Sequence, residues 1–233
     1  GMILLAALVW IVTAGLAWPV RVYTTFLLVV LPMMAVAQVP LAEEDPTALP
    51  RMPLYASSAV ALWILALGAL AAAVIGGLPP RAIGLAPVPT GALVGWSLGT
   101  LAAALVLALL GHALGIRESA ILKHMLPRTG RERVAFIGLS LSAGVCEELV
   151  FRGFLIPALE TASGSLAVAV LFSAIVFGTL HAYQHVRGAA RAASLGLLMT
   201  VPFLATGSVV PSMIAHFAYD VVAGIWLGRR VKA

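Results

Sequence analysis

Positions 145–152 read Val-Cys-Glu-Glu-Leu-Val-Phe-Arg, which sets Glu147, Glu148 and Arg152 inside an otherwise apolar run. In lipid such groups are costly, about 2.5–3.5 kcal/mol for each central charge even on insertion scales, so they face a bundle interior, find partners and mark function. Glu148 and Arg152 are four apart and can pair on one helix face, whereas Glu147 is turned away by about 100° and faces another wall. A second apolar run ends Phe177-Gly-Thr-Leu-His181, and a third carries His216 and Asp220. Each of these pairs is also four apart, so its members share a face. Two glutamates, two histidines and an aspartate on three elements can converge on one polar site. That site could bind a water directly or offer a shell of two histidines and a carboxylate to a metal.

The elements that must position these groups are transmembrane helices. Hydrophobic residues make up 62% of the 233 and charged residues 10%, against about 45–50% and about 25% in soluble domains. The apolar residues come in continuous Leu/Ala/Val blocks without period-two alternation, which disfavours a membrane β-barrel. The expected fold is an all-α polytopic bundle of about eight transmembrane helices, near Met2 to Trp18, Val22 to Val39, Leu54 to Leu78, Gly91 to Ile116, Val134 to Pro157, Ser165 to His185, Ala189 to Thr206 and Val209 to Leu227. Prolines and glycines punctuate the turns, at Pro19, Pro46, Pro50, Pro53, Pro79, Pro80, Pro87, Pro89 and Gly164. The chain divides into four N-terminal helices (1–116), a cytoplasmic or interfacial connection (117–133) and the motif-bearing helices (134–233), all one membrane domain. Within the connection, Ile121, Leu122, Met125 and Leu126 alternate with basic residues, as in a stretch lying along the interface or in a loop.

The net charge of +5 sits in short loops and not in one patch, which points to topology and away from nucleic acid. With eight spans, one side holds Arg51, Arg117, Lys123, Arg128, Arg131, Arg133, Arg187, Arg191, Arg229, Arg230 and Lys232, and the other only Arg21 and Arg81. The positive-inside rule then puts both termini in the cytoplasm of an integral protein of the cell inner membrane. The first hairpin is the weak point of this parity, because its turn is very short. Cys146 is the sole cysteine, so neither an intrachain disulfide nor a cysteine metal cage can form.

Blander roles compete at several positions. Glu148 with Arg152 is a ready structural ion pair, Phe177 a packing residue, and His112, His124 and His185 lie near helix ends where an interfacial histidine is the default. Isolated structural explanations must work three times inside lipid for Glu147, His181 and His216, which singles out that set. The first four spans hold no interior acid or base. Their signals are small residues for close packing: Gly68, Ala69, Ala72, Ala73, Gly76 and Gly77 in the third, and the Gly95/Gly99 spacing in the fourth.

The order EExxxR, FxxxH and HxxxD, each on its own span, resembles the CPBP family of intramembrane proteases, which includes type II CAAX prenyl endopeptidases and abortive-infection or bacteriocin-immunity relatives. The resemblance runs over about Val134 to Leu227. It implies peptide-bond hydrolysis with Glu147, His181, His216 and Asp220 as catalytic residues and Glu148, Arg152 and Phe177 in supporting places. Asp220 departs from the asparagine of the prenyl proteases, and a carboxylate there is a poorer oxyanion donor unless protonated. On this reading Glu147 is the base, His181 shares its water, and His216 stabilises the oxyanion with help from Asp220, while Glu148 and Arg152 hold their helix in register. The cofactor is either none or Zn2+, the latter ligated by Glu147, His181 and His216. The partners implied are a membrane-associated peptide or protein substrate and the lipid bilayer, with no nucleic acid. A noncatalytic immunity or scaffold protein and a proton-coupled transporter are the alternatives; the transporter needs polar groups along a path through several spans, and the first half offers none.

Overall fold

The structure is a computed structural model that describes residues 1–40, 50–114 and 119–230, with side chains through residue 225. Arg117, Lys232 and Pro46 lie outside the described residues, as do the side chains of Arg229 and Arg230. Among the described residues the principal helices are, in chain order, α1 (Met2–Val12), α2 (Trp18–Ala37), α3 (Arg51–Ile75), α4 (Thr90–Ala113), α5 (Ala120–Met125), α6 (Gly130–Ser163), α7 (Leu166–Leu180), α8 (His185–Thr206) and α9 (Val210–Arg230). Single 3-10 turns lie at Pro80–Ile83 and Ala182–Gln184. No strand occurs among the described residues.

Five helices, α2, α3, α4, α6 and the stretch Ala182–Thr206 containing α8, are long and apolar enough to cross a membrane. Three further apolar helices are shorter: α1, α7 and the part of α9 from Val210 to Ile225. Each expected apolar run therefore forms a helix, and the molecule is an all-α membrane bundle. At 11 residues and about 1.5 Å per residue, α1 reaches only about half of a ~30 Å hydrocarbon layer. The outer surface is apolar, with Ile3, Leu4, Leu67, Leu98 and Val134 among its exposed side chains, as lipid-facing helices require.

α6 is the axis of the bundle. It packs against α3 on one side and α9 on the other, while α7 pairs with α8, and α4 lies along α9 and α8. Its start is fixed by a capping box, in which Thr129 Oγ1 accepts from the Glu132 amide at 3.1 Å and Glu132 Oε2 accepts from the Thr129 amide at 2.9 Å. Its approach to α9 depends on Gly144, where an added Cβ would lie 2.9 Å from the backbone of both Met213 and Phe217. From Leu149 to Leu155 α6 widens into a π-helical segment, every residue of which is buried. A shorter π turn spans Phe26–Val30 in α2. The small residues expected on α3 do form a packing face: Ala69, Ala72 and Ala73 are buried, Gly68 abuts Tyr23, and Gly76 abuts Val20. Gly95 and Gly99 have no neighbour within 4 Å of where a Cβ would stand and line an open groove between α4 and α8.

Basic residues cluster at one end. Arg51 at the start of α3 donates to the His124 carbonyl at 2.5 Å and lies 3.7 Å from Glu132, which ties together α3, the tail of α5 and the head of α6. The opposite end carries Arg21, stacked on Trp10 at 3.9 Å, and the Pro80–Ile83 turn, where the Gly84 carbonyl accepts from the Val209 amide at 3.0 Å.

Candidate active site

α6, α7 and α9 bring the motif residues together. Glu148 is wholly buried and its Oε1 serves two partners, Arg152 Nη1 at 3.1 Å and His216 Nδ1 at 2.7 Å. The pairing of Glu148 with Arg152 expected from their spacing is present. Its second partner, sixty-eight positions away, has no trace in any local spacing and could not be read from the chain. Arg152 then reaches across to α8, where its Nη2 donates to the Gly196 carbonyl at 2.6 Å. Thr200 Oγ1 donates to the same oxygen at 2.9 Å. Gly196 is glycine for a visible reason: a Cβ there would stand 3.2 Å from the Phe177 ring and 3.3 Å from Arg152 Nη2.

His216 is thus held by its Nδ1, and its Nε2 faces the other two carboxylates. Glu147 Oε2 lies 3.8 Å away and Asp220 Oδ2 3.7 Å away. Both separations exceed a direct hydrogen bond, and both carboxylates stand on the Nε2 side of the ring. His181 sits just past the last turn of α7, its Nδ1 2.8 Å from the Phe177 carbonyl. A carbonyl only accepts, so Nδ1 carries the proton and the Nε2 lone pair of a neutral ring is left for other work.

Phe177 is buried at the centre of an aromatic stack. Its ring is 4.8 Å from that of His181, 6.4 Å from that of His216 and 5.0 Å edge-on to Phe151, with the Arg152 guanidinium 4.9 Å from its centroid. Its ring packs between both histidines, and its backbone carbonyl holds His181 Nδ1.

His181, His216, Asp220 and Arg152 line a cavity of about 160 Å³ shared with Gln184 and Arg191. Gln184 and Arg191 were not singled out from the sequence. Arg191 Nη2 donates to Gln184 Oε1 at 3.1 Å, and Gln184 Nε2 donates to the Tyr183 hydroxyl, also at 3.1 Å. Of the histidines assigned to helix ends, His185 is exposed and carries a positive φ of 62°. Among the described residues no group of three His, Cys, Asp or Glu side chains is arranged to hold a metal ion.

Comparison with known proteins gives one match: the family described as type II CAAX prenyl endopeptidase Rce1-like aligns with residues 130–222. That stretch begins with α6 and contains the whole set of motif residues, and the match supports the resemblance to the CPBP family. At family level the match supports an intramembrane CAAX-type endopeptidase acting on a protein substrate in lipid. No curated protein and no solved structure matches the chain.

Proposed function

We propose that this chain, a member of the Rce1-like group through residues 130–222, hydrolyses a peptide bond with a water activated by Glu147 and His181. The reading is supported above all by the convergence of Glu147 Oε2, at 3.8 Å, and Asp220 Oδ2, at 3.7 Å, on His216 Nε2, which sets a carboxylate base and an imidazole N–H within reach of one substrate carbonyl. Glu147 takes a proton from water as the water oxygen bonds to the substrate carbonyl carbon. The carbonyl oxygen becomes an oxyanion and meets N–H of His216, whose other nitrogen is already committed to Glu148. His216 performs this step as an imidazolium, and preorganised donors of that kind supply several kcal/mol in acyl transfer. Glu147 then passes its proton to the leaving amine as the C–N bond breaks. Asp220 borders His216 on the Nε2 side, and Glu148 with Arg152 holds the ring from the other.

Zinc on Glu147, His181 and His216 is the competing chemistry, in which a bound metal lowers the pKa of water from 15.7 to about 7. We favour the glutamate route, because these three side chains are not grouped as ligands and lack the HExxH spacing that supplies two ligands and a base from one helix. The test is purified protein in detergent with a membrane peptide. Glu147→Gln should remove cleavage and chelation should leave it intact. About one tightly held zinc per chain, with activity following its occupancy, would overturn the metal-free route and make Glu148 the candidate base. Unchanged biological effect of Glu147→Gln in cells would point instead to a noncatalytic immunity or scaffold role.

A further inference from the structure

A second recess lies on the far side of the turn that follows His181, away from the catalytic cavity. Val36 of α2 and Val39 just past its end form one bank, and Ile175 of α7 with Val186 and Ala190 of α8 forms the other, around a space of about 580 Å³. Its floor is fixed by the closest approach of α7 and α8: a Cβ on Gly178 would stand 2.8 Å from the Ala189 carbonyl oxygen and 2.9 Å from Ala193 Cβ. Seven residues separate Ile175 from Ala182 on one wall and Val186 from Ala193 on the other, so the trough runs about 10 Å along the helices. An apolar cavity of ~150 Å³ accepts one benzene ring, and this larger space has room for a hydrocarbon chain. Val186, 84% exposed, offers such a chain a large apolar side chain to cover.

The mouth of the trough is polar and positive. His185 lines it, and Arg187, two residues on, is exposed with no hydrogen bond or ion pair among the described residues. No carboxylate lines the recess, and the first turn of α8 carries no acid. The stretch Ala182–Thr206 is long and apolar enough to cross a membrane, so its first residues stand at the boundary where lipid headgroups lie. An apolar trough that ends at headgroup depth in an unanswered cation is the complement of an anionic amphiphile.

We infer that this recess holds one anionic phospholipid, with its phosphate at Arg187 and one acyl chain along the trough between α2, α7 and α8. The inference stands on the shape and charge of the recess and needs no part of the hydrolytic reading. Ala182 lines the recess while His181, one residue earlier, lines the catalytic cavity, so the bound lipid backs the turn that carries this histidine.

Purified protein in neutral detergent is titrated with dioleoyl phosphatidylglycerol, dioleoyl phosphatidylcholine or glycerol phosphate, and bound molecules are counted by native mass spectrometry. One phosphatidylglycerol per chain should bind about fivefold tighter than phosphatidylcholine, the gain that one cation at a membrane surface gives. Glycerol phosphate, a head without chains, should not displace it. Arg187→Gln should erase the preference, whereas Arg131→Gln, which removes an exposed cation of α6 at the same end of the bundle, should leave it within about twofold of wild type. Ala190→Trp fills the trough and should weaken both lipids about tenfold. Hydrogen exchange at the amides of Ala182 to Gly188 should slow with phosphatidylglycerol. Melting temperatures identify any variant that fails to fold, and the surface change Arg187→Gln keeps the test decisive if Ala190→Trp is lost. Equal binding of the two lipids, or the same loss of preference in Arg187→Gln and Arg131→Gln, overturns the site. Displacement by glycerol phosphate, or unaltered binding in folded Ala190→Trp protein, overturns the seat of the acyl chain and leaves only an anion at the surface.

Discussion

At the scale of single residues, one oxygen carries more than its share. Glu148 Oε1 accepts from Arg152 and from His216 at once, so its loss leaves a buried cation on one side and an untethered imidazole on the other. Breaking a buried ion pair by removing one member costs about 3–5 kcal/mol. Glu148→Ala and Arg152→Ala are therefore expected to lose folded protein, measured as the monodisperse yield in detergent and the melting temperature. Glu147→Gln should keep both near wild type, because the Glu147 carboxylate is partly accessible and makes no short bond to His216. Normal yield of Arg152→Ala with activity abolished would give Arg152 a direct part in the reaction. Gly196→Ala tests the seat of Arg152 more gently, since its methyl would press on Phe177 and the guanidinium at 3.2–3.3 Å. We expect it to lower kcat about tenfold while the protein stays folded. The candidate set, and its convergence on one place, was legible in the sequence because charge and imidazole inside lipid demand explanation. The bond from Glu148 to His216 was not legible, because it depends on how α6 and α9 cross.

At the scale of elements, the crossing of α6 and α9 is set by a position without a side chain. Gly144 brings the helices so near that a methyl would meet backbone atoms of Met213 and Phe217 at 2.9 Å, and backbone cannot turn aside as a side-chain tip can. Gly144→Ala is expected to destabilise by about 1–3 kcal/mol, read as a lower melting temperature, and to reduce activity by pulling His216 from Glu148. The junction after α7 invites the opposite change. His185 holds a backbone conformation natural to glycine, so His185→Gly should leave stability unchanged or raise it by about 1 kcal/mol. The helices themselves were legible, since apolar blocks separated by prolines and glycines leave few other folds in a membrane. The π-helical segment Leu149–Leu155 was not, because widening a helix by one residue per turn leaves its apolar composition unaltered. Nor was the Gly95/Gly99 spacing decisive: it reads the same whether a neighbour fills it or, as here, none does.

At the scale of the whole molecule, the segment that matches the protease family does not stand by itself. Ala66, Ala69, Ala72 and Ala73 of α3 share one buried core with Phe151, Phe154 and Leu155 of α6. Tyr55 and Arg51 anchor α5. A fragment limited to residues 119–230 should therefore aggregate or fail to insert stably, whereas co-expression with residues 1–114 should recover folded protein; size-exclusion profiles decide between these. We expect C-terminal reporter fusions to lie in the cytoplasm, because α9 runs toward the end of the bundle that bears Arg51, Lys123 and Arg187, and a periplasmic signal would reverse that assignment. The helix lengths carry a last consequence. α6, at 34 residues, extends about 50 Å, while α7, at 15, covers about 22 Å of a ~30 Å hydrocarbon layer. Lipid beside α7 must thin to meet it. His181 stands at the end of that short helix, so this hydrophobic mismatch would draw the headgroup boundary toward the candidate site and bring water and a lipid-borne peptide to one depth. Reconstitution in short-chain lipids should relieve the thinning and in long-chain lipids deepen it, which makes bilayer thickness a control on the KM of a membrane substrate and of no consequence for a soluble peptide.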